Sequence, residues 1–149
     1  MSTISLLGST GSIGRQSLDV IAACGMSVSA ITANKSTALL EEQARQFRPK
    51  LVVAYDPEAA KDLQVRLADL PVRIASGMEG LVEAATMEEA DTVLTSVVGM
   101  IGLKPTLAAI GAKKRIALAN KETLVCAGEL VMAEASGVDI LAHHLRFFI

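Results

Sequence analysis

The chain has 149 residues, the size of one domain and long enough to bury a core. It is 51% apolar and 20% charged, which excludes a disordered chain. A formal net charge of −2, with Lys and Arg dispersed, excludes the basic footprint of a nucleic-acid partner.

Aromatic residues are only 3% and Trp is absent, so Ala, Val, Ile and Leu must carry the core. That suits a parallel sheet covered by helices on both faces. Short apolar runs alternate with segments of helical period. Thr3–Leu7 reads as a strand ending in a glycine-rich turn, and Ser12–Cys24 as a helix with Ile13, Leu18, Val20 and Ile21 apolar. Val28–Ala33 is a β-branched strand. Ser36 or Thr37 can cap the next helix, which aligns Leu39, Leu40, Ala44 and Phe47 and stops at Pro49. Leu51–Ala54 is a strand, and Asp56-Pro57 marks a helix start, with Asp capping and Pro in the first turn; that helix should reach Asp69.

Further along, Val72–Ala75 is a strand, Met78–Glu88 a helix and Thr92–Thr95 a strand leading into Val97-Val98-Gly99-Met100. Lys104–Ile110 is helical, Arg115–Leu118 extended, Lys121–Ala135 helical and Val138–Leu141 the last strand. Alternation at this spacing is the βαβ pattern. With right-handed crossovers it gives one α/β domain built on a doubly wound parallel sheet.

The strongest local signal is Gly8-Ser9-Thr10-Gly11-Ser12-Ile13-Gly14, which directly follows a strand and opens a helix. Gly8 permits the tight turn, Gly11 lets backbone approach a pyrophosphate, and Gly14 lets the helix pack close on the strand. Free N–H groups at the helix start favour an anion, and the hydroxyls of Ser9, Thr10 and Ser12 can add donors. The spacing is GxxGxxG rather than GxGxxG; its place between strand and helix is what gives it weight, and the reading is a Rossmann-like dinucleotide-binding domain. A plain connecting turn is the alternative.

The end of the second strand selects the cofactor. An Asp or Glu there would bind a ribose 2′-hydroxyl, whereas Ala33-Asn34-Lys35-Ser36 offers no carboxylate before Glu41. Lys35 attracts a 2′-phosphate that Asn34 and Ser36 can hydrogen-bond, which favours NADPH over NADH; Lys35 as an ordinary exposed lysine is the alternative. A second polar constellation, Asn120-Lys121-Glu122, ends the Arg115–Leu118 strand region at the ligand-binding edge. Asn120 and Glu122 suit contacts to a cofactor and Lys121 an anionic substrate. All three also serve equally well as helix-start residues.

Cys24 and Cys126 show no metal-ligand spacing and are expected as buried small side chains. The start, MSTISLLG, lacks the basic and long apolar regions of a secretory signal, and no apolar run reaches the roughly 18–20 residues of a bilayer span. A cytoplasmic setting with no membrane partner is expected.

Three blocks are similar to the 1-deoxy-D-xylulose 5-phosphate reductoisomerase family. They are Ile4 through Gly14 with Leu18-Asp19-Val20; Val98-Gly99 and Gly102-Leu103 followed by Pro105 through Ile110; and Ala119-Asn120-Lys121-Glu122-Thr123-Leu124-Val125. The resemblance runs from residue 3 to about 141. It implies NADPH-dependent rearrangement and reduction of a sugar phosphate to 2-C-methyl-D-erythritol 4-phosphate in isoprenoid biosynthesis, with Mg²⁺ or Mn²⁺. By matching positions it puts Thr10, Gly11, Ser12 and Ile13 on the pyrophosphate and Asn34, Lys35 and Ser36 on the 2′-phosphate. Asn120 and Glu122 would lie against the cofactor and Lys121 would reach the substrate. The family often has Gly where Asn34 stands.

From Ala142 the likeness ends. The family continues into a Pro-Val-Asp-Ser-Glu-His-type segment whose carboxylates hold the metal, whereas this chain reads Ala142-His143-His144-Leu145-Arg146-Phe147-Phe148-Ile149. Residues 142–149 are thus a divergent tail, and residues 1–141 a cofactor domain expected to be inactive alone. Read two bases later with permitted codons, the tail from His144 can encode Ser-Ala-Ile-Phe followed by His, similar to the family's continuation. The expectation is a frameshift, which resequencing tests. The family's homodimer forms largely through regions without counterpart here, so a homo-oligomer stays open.

Two other functions compete. A complete short-chain reductase would need a Tyr–Lys pair four residues apart, but Tyr55 has Ala59 at that spacing. A stand-alone, non-catalytic nucleotide-binding module would bind cofactor without turnover.

Overall fold

A computed structural model describes residues 2–97 and 100–119, and the backbone of 140–142. Seven strands form one sheet: β1 (Thr3–Leu7), β2 (Ser27–Ala33), β3 (Leu51–Ala54), β4 (Arg73–Ser76), β5 (Thr92–Thr95), β6 (Arg115–Leu118) and β7 (Ile140–Ala142). Their order is β4-β3-β2-β1-β5-β6-β7, and every pairing is parallel. Among the described residues, five α-helices accompany them: α1 (Ser12–Ala23), α2 (Thr37–Phe47), α3 (Pro57–Arg66), α4 (Gly77–Ala85) and α5 (Leu103–Gly111).

The alternation of strand residues sorts the helices onto two faces. Val52 and Ala54 join Leu18 and Ile21 of α1, Leu40 and Ala44 of α2, and Leu63 of α3 in one buried cluster. Their neighbours Leu51 and Val53 join Leu81 and Ala84 of α4 and Ala109 and Ile110 of α5 in the other. This is the doubly wound α/β sheet that the pattern predicts. The chain steps outward from β1 to β4, then returns to lay β5 on the other side of β1. The strand order therefore reverses between β1 and β2 on one hand and β5 on the other, and ligands of open α/β sheets bind beside such a reversal.

Several expectations shift by a few residues. The helix begun at Asp56 ends at Arg66 rather than Asp69, and α4 ends at Ala85 rather than Glu88. Asp56 does cap α3: its carboxylate accepts the Ala59 N–H at 3.0 Å, with Pro57 in the first turn. Cys24, expected buried, is exposed, because it is the C-cap residue where α1 leaves the sheet. The register of β1 against β2 slips between Ile4 and Ser5, which places Val28 and Ile31 in the same cluster despite their odd spacing. The predicted helix Lys121–Ala135, Cys126, and the tail from His143 lie outside the described residues.

Candidate functional site

The glycine turn leaves β1 at the sheet's reversal and is held from three sides. Gly8 adopts a φ of 85°, a region open to glycine. Its N–H donates to Thr32 Oγ1 at 2.9 Å, and the Ser9 N–H donates to the Thr32 carbonyl at 2.8 Å. From just past β5, Ser96 Oγ donates to the Gly8 carbonyl at 2.6 Å. From α2, Gln43 Nε2 donates to the Ser9 carbonyl at 2.9 Å.

Gly11 and Gly14 do different work. A Cβ on Gly14 would run into the Gly8 carbonyl oxygen and come within 2.8 Å of the Ser9 Cα. Only glycine lets α1 start this close to the strand. A Cβ on Gly11 meets nothing within 4 Å, so its open side is space for another molecule. Gly11 is also the N-cap of α1, which has no side-chain cap and no acidic residue in its first turn. The first N–H groups of a helix have no partner within it and carry partial positive charge.

A cleft of about 660 Å³ opens here, within the usual range for small-molecule sites. Gly8, Thr10 and Gly11 line it, with Asn34 from the end of β2. Thr10 is half-buried, while Ser12 and Ile13 are exposed on the first turn of α1 and do not line the cleft. Ser12 lines instead a neighbouring groove between α1 and α2. Ser9 departs from its expected role: it is fully buried, and its hydroxyl donates inward to Gln43 Oε1 at 2.6 Å.

Beyond Asn34, Lys35 and Ser36 are exposed and do not line the cleft. They lead into α2, whose N-cap is Ser36. The Ser36 side chain makes no capping bond, and the first turn contains no acid. Glu41, the first carboxylate after β2, is turned to arginines, at 3.1 Å from Arg45 and 3.1 Å from Arg66. Those contacts hold its carboxyl below the ordinary range, Arg45 contributing most. Two helix starts without a capping side chain, α1 and α2, thus lie beside one cleft. Of the nearby acids, Asp56 lines the cleft and spends Oδ2 on the Ala59 N–H, while Asp62 bonds Thr37 and pairs with Arg66. Asn120, Lys121 and Glu122 lie outside the described residues.

Composition and spacing passed over several lining residues: Tyr55-Asp56-Pro57 after β3, Ser96-Val97 after β5, and Met100-Ile101. Each of the first two groups directly follows a strand's carboxyl end, the signal by which they were findable. Met100, which lines the cleft, is half exposed. Among the described residues, no group of three or more His, Cys, Asp or Glu could hold a metal ion, and no helix is long and apolar enough to cross a membrane.

A parallel sheet wound on both faces, with a glycine turn and an open helix start at its reversal, defines a Rossmann-type α/β domain. A family profile for 1-deoxy-D-xylulose 5-phosphate reductoisomerase matches residues 4–128. The chain belongs to that family. It is 51% identical over 144 residues to the 1-deoxy-D-xylulose 5-phosphate reductoisomerase of Agathobacter rectalis, an alignment covering 95% of this chain and 38% of that protein. Among solved structures, the reductoisomerase from Zymomonas mobilis in complex with NADPH matches with a TM-score of 0.89 and 42% identity, over 94% of this chain and 38% of that one. A DOX-P reductoisomerase in complex with NADPH, fosmidomycin and magnesium matches at 0.88 and 39% identity, over 94% and 35%. The chain therefore spans little more than a third of the length of these relatives.

Proposed function

We propose that residues 1–141 are the NADPH-binding domain of a 1-deoxy-D-xylulose 5-phosphate reductoisomerase, followed by a divergent tail from Ala142. The observation that carries this reading is a pair of helix starts beside one cleft, each without a capping side chain and without an acid in its own first turn. NADPH has two anionic groups to seat there, and NADH only one. Gly8, Thr10, Gly11, Ser12 and Ile13 receive the pyrophosphate on the N–H groups of α1. Asn34, Lys35 and Ser36 receive the 2′-phosphate at α2, where the Lys35 ammonium adds charge and the Ser36 hydroxyl is not spent on its own helix. Asn120 and Glu122 lie along the cofactor, and Lys121 meets the sugar-phosphate substrate.

Bound NADPH supplies the hydride for the reduction half of the reaction. The residues of this chain orient the cofactor and neutralise its phosphates. The described residues offer no ligand set for the Mg²⁺ or Mn²⁺ that the family resemblance implies. Because the sequence diverges from the family's carboxylate-bearing segment after Leu141, the reading makes the chain alone a cofactor binder that does not turn over substrate. It works in a cytoplasmic setting, without membrane or nucleic-acid partners, and leaves room for a homo-oligomer. A stand-alone nucleotide-binding module is the competing reading. The two separate on mixing this chain with the complementary C-terminal portion of a relative: restored reduction supports the reductoisomerase domain, and binding with no restored turnover supports the module.

Amide chemical shifts test the site directly. Adding NADPH to the isotope-labelled chain should displace the signals of Thr10–Ile13 and Asn34–Ser36. Displacement confined to the groove at the opposite, amino-terminal edge of the sheet, around Ser27 and Lys50, would contradict it.

A further inference from the structure

The inner face of α2 carries Leu40 and Ala44, both fully buried, and beside them Gln43, 6% exposed. A buried amide on an apolar face is costly unless its polar atoms are bonded. Gln43 spends both of its groups on one residue. Ser9 Oγ donates to its Oε1 at 2.6 Å, and its Nε2 donates to the Ser9 carbonyl at 2.9 Å. Ser9 is the second residue of the glycine turn, so α2 is tied directly to the proposed pyrophosphate cradle.

From these contacts we infer that Gln43 is a positioning residue that sets the start of α2 against the glycine turn, and thereby sets the preference for a 2′-phosphate over a bare ribose. The inference rests on the NADPH reading above. A helix moves nearly as a rigid body, so whatever fixes α2 at Gln43 also fixes Ser36 two turns earlier. The rest of the contact between α2 and the sheet is apolar and tolerates small slides, since hydrophobic contact has no direction. A groove of about 410 Å³ runs between α1 and α2 beside Gln43, lined by Ser12, Leu18, Leu39 and Phe47. The paired amide bonds are the directional tie between α2 and the glycine turn, whereas the ion pairs on its outer side, Arg45 with Asp69 and Glu41 with Arg66, run toward α3. A ligand that touches both helix starts feels their spacing; one that touches the turn alone does not.

The test uses the full chain with NADPH and NADH in parallel. Gln43→Met keeps the volume and removes both bonds. NADPH affinity should fall about fivefold or more while NADH affinity changes by about twofold or less, so the ratio between them narrows. Equal weakening of both cofactors, the signature of a merely structural amide, overturns the inference. Should Gln43→Met fail to fold, Ser9→Ala removes only the hydroxyl donor and leaves the Ser9 carbonyl for Nε2. It should narrow the ratio in the same direction by a smaller factor, and an unchanged ratio overturns the inference. A folded wild-type chain that binds no NADPH removes the underlying reading instead, and is distinguished by the absence of any wild-type signal.

Discussion

Gly11 and Gly14 stand one helical turn apart and answer to different neighbours. Gly14 faces backbone of its own fold, so Gly14→Ala must push α1 off the turn and should destabilise the chain by about 1–3 kcal/mol. Chemical denaturation reads this as a lower midpoint. Gly11 faces open space and has a φ of −76°, which any residue adopts. Gly11→Ala should leave the denaturation midpoint within about 0.5 kcal/mol of wild type and still weaken NADPH, because the new methyl stands where a phosphate would sit. Unaltered cofactor affinity in Gly11→Ala would remove the pyrophosphate from that position. Lys35→Ala should cost NADPH about tenfold, as for a charge-assisted contact of roughly 1.4 kcal/mol, and leave NADH nearly unchanged. Loss of both alike would assign Lys35 to something other than the 2′-phosphate.

At the scale of elements, α2 and α3 are laced together on their outer side. Arg45 pairs with Asp69 at 2.8 Å and Glu41 at 3.1 Å, and Arg66 pairs with Asp62 at 2.8 Å and Glu41 at 3.1 Å. The arginine contacts hold the Glu41, Asp62 and Asp69 carboxyls below their ordinary values. A carboxyl whose folded value is depressed stabilises the fold above its unfolded value and loses that contribution as pH falls. The unfolded references are 4.5 for Glu and 3.8 for Asp. Stability should thus be level above about pH 5 and decline below it. The contribution is small because the groups face solvent, and added salt should shrink it. Urea midpoints measured across this range should fall less steeply for Arg45→Met than for wild type, and superimposable slopes would mean the pairs contribute nothing.

Elements were legible where a local rule acted alone. Asp56-Pro57 announced α3 because capping and proline geometry need no distant partner. The end of α3 is hidden in the sequence because Leu67 and Leu70 continue the apolar rhythm past Arg66; they pack on the core from a turn rather than a helix. The burial of Ser9 is hidden for a related reason. A hydroxyl in a glycine turn looks available to phosphate until α2 delivers Gln43 to it from 34 residues away. Nothing in local spacing marks that bond, since Gln43 reads as one more polar residue on an amphipathic helix.

For the whole molecule, the sheet order explains why residues so far apart in sequence share one cleft. Gly8 follows β1, Asn34 follows β2, Tyr55 follows β3 and Ser96 follows β5, and parallel strands bring all four ends to the same edge. The central claim is that this edge holds a dinucleotide with a 2′-phosphate. The measurement that tests it most directly is a calorimetric titration of the 149-residue chain with NADPH and NADH under identical conditions. The account predicts saturable NADPH binding, tighter than NADH by about tenfold or more, the advantage of one well-placed charged contact. Equal affinities, or no binding by a chain whose circular dichroism shows it folded, would contradict it.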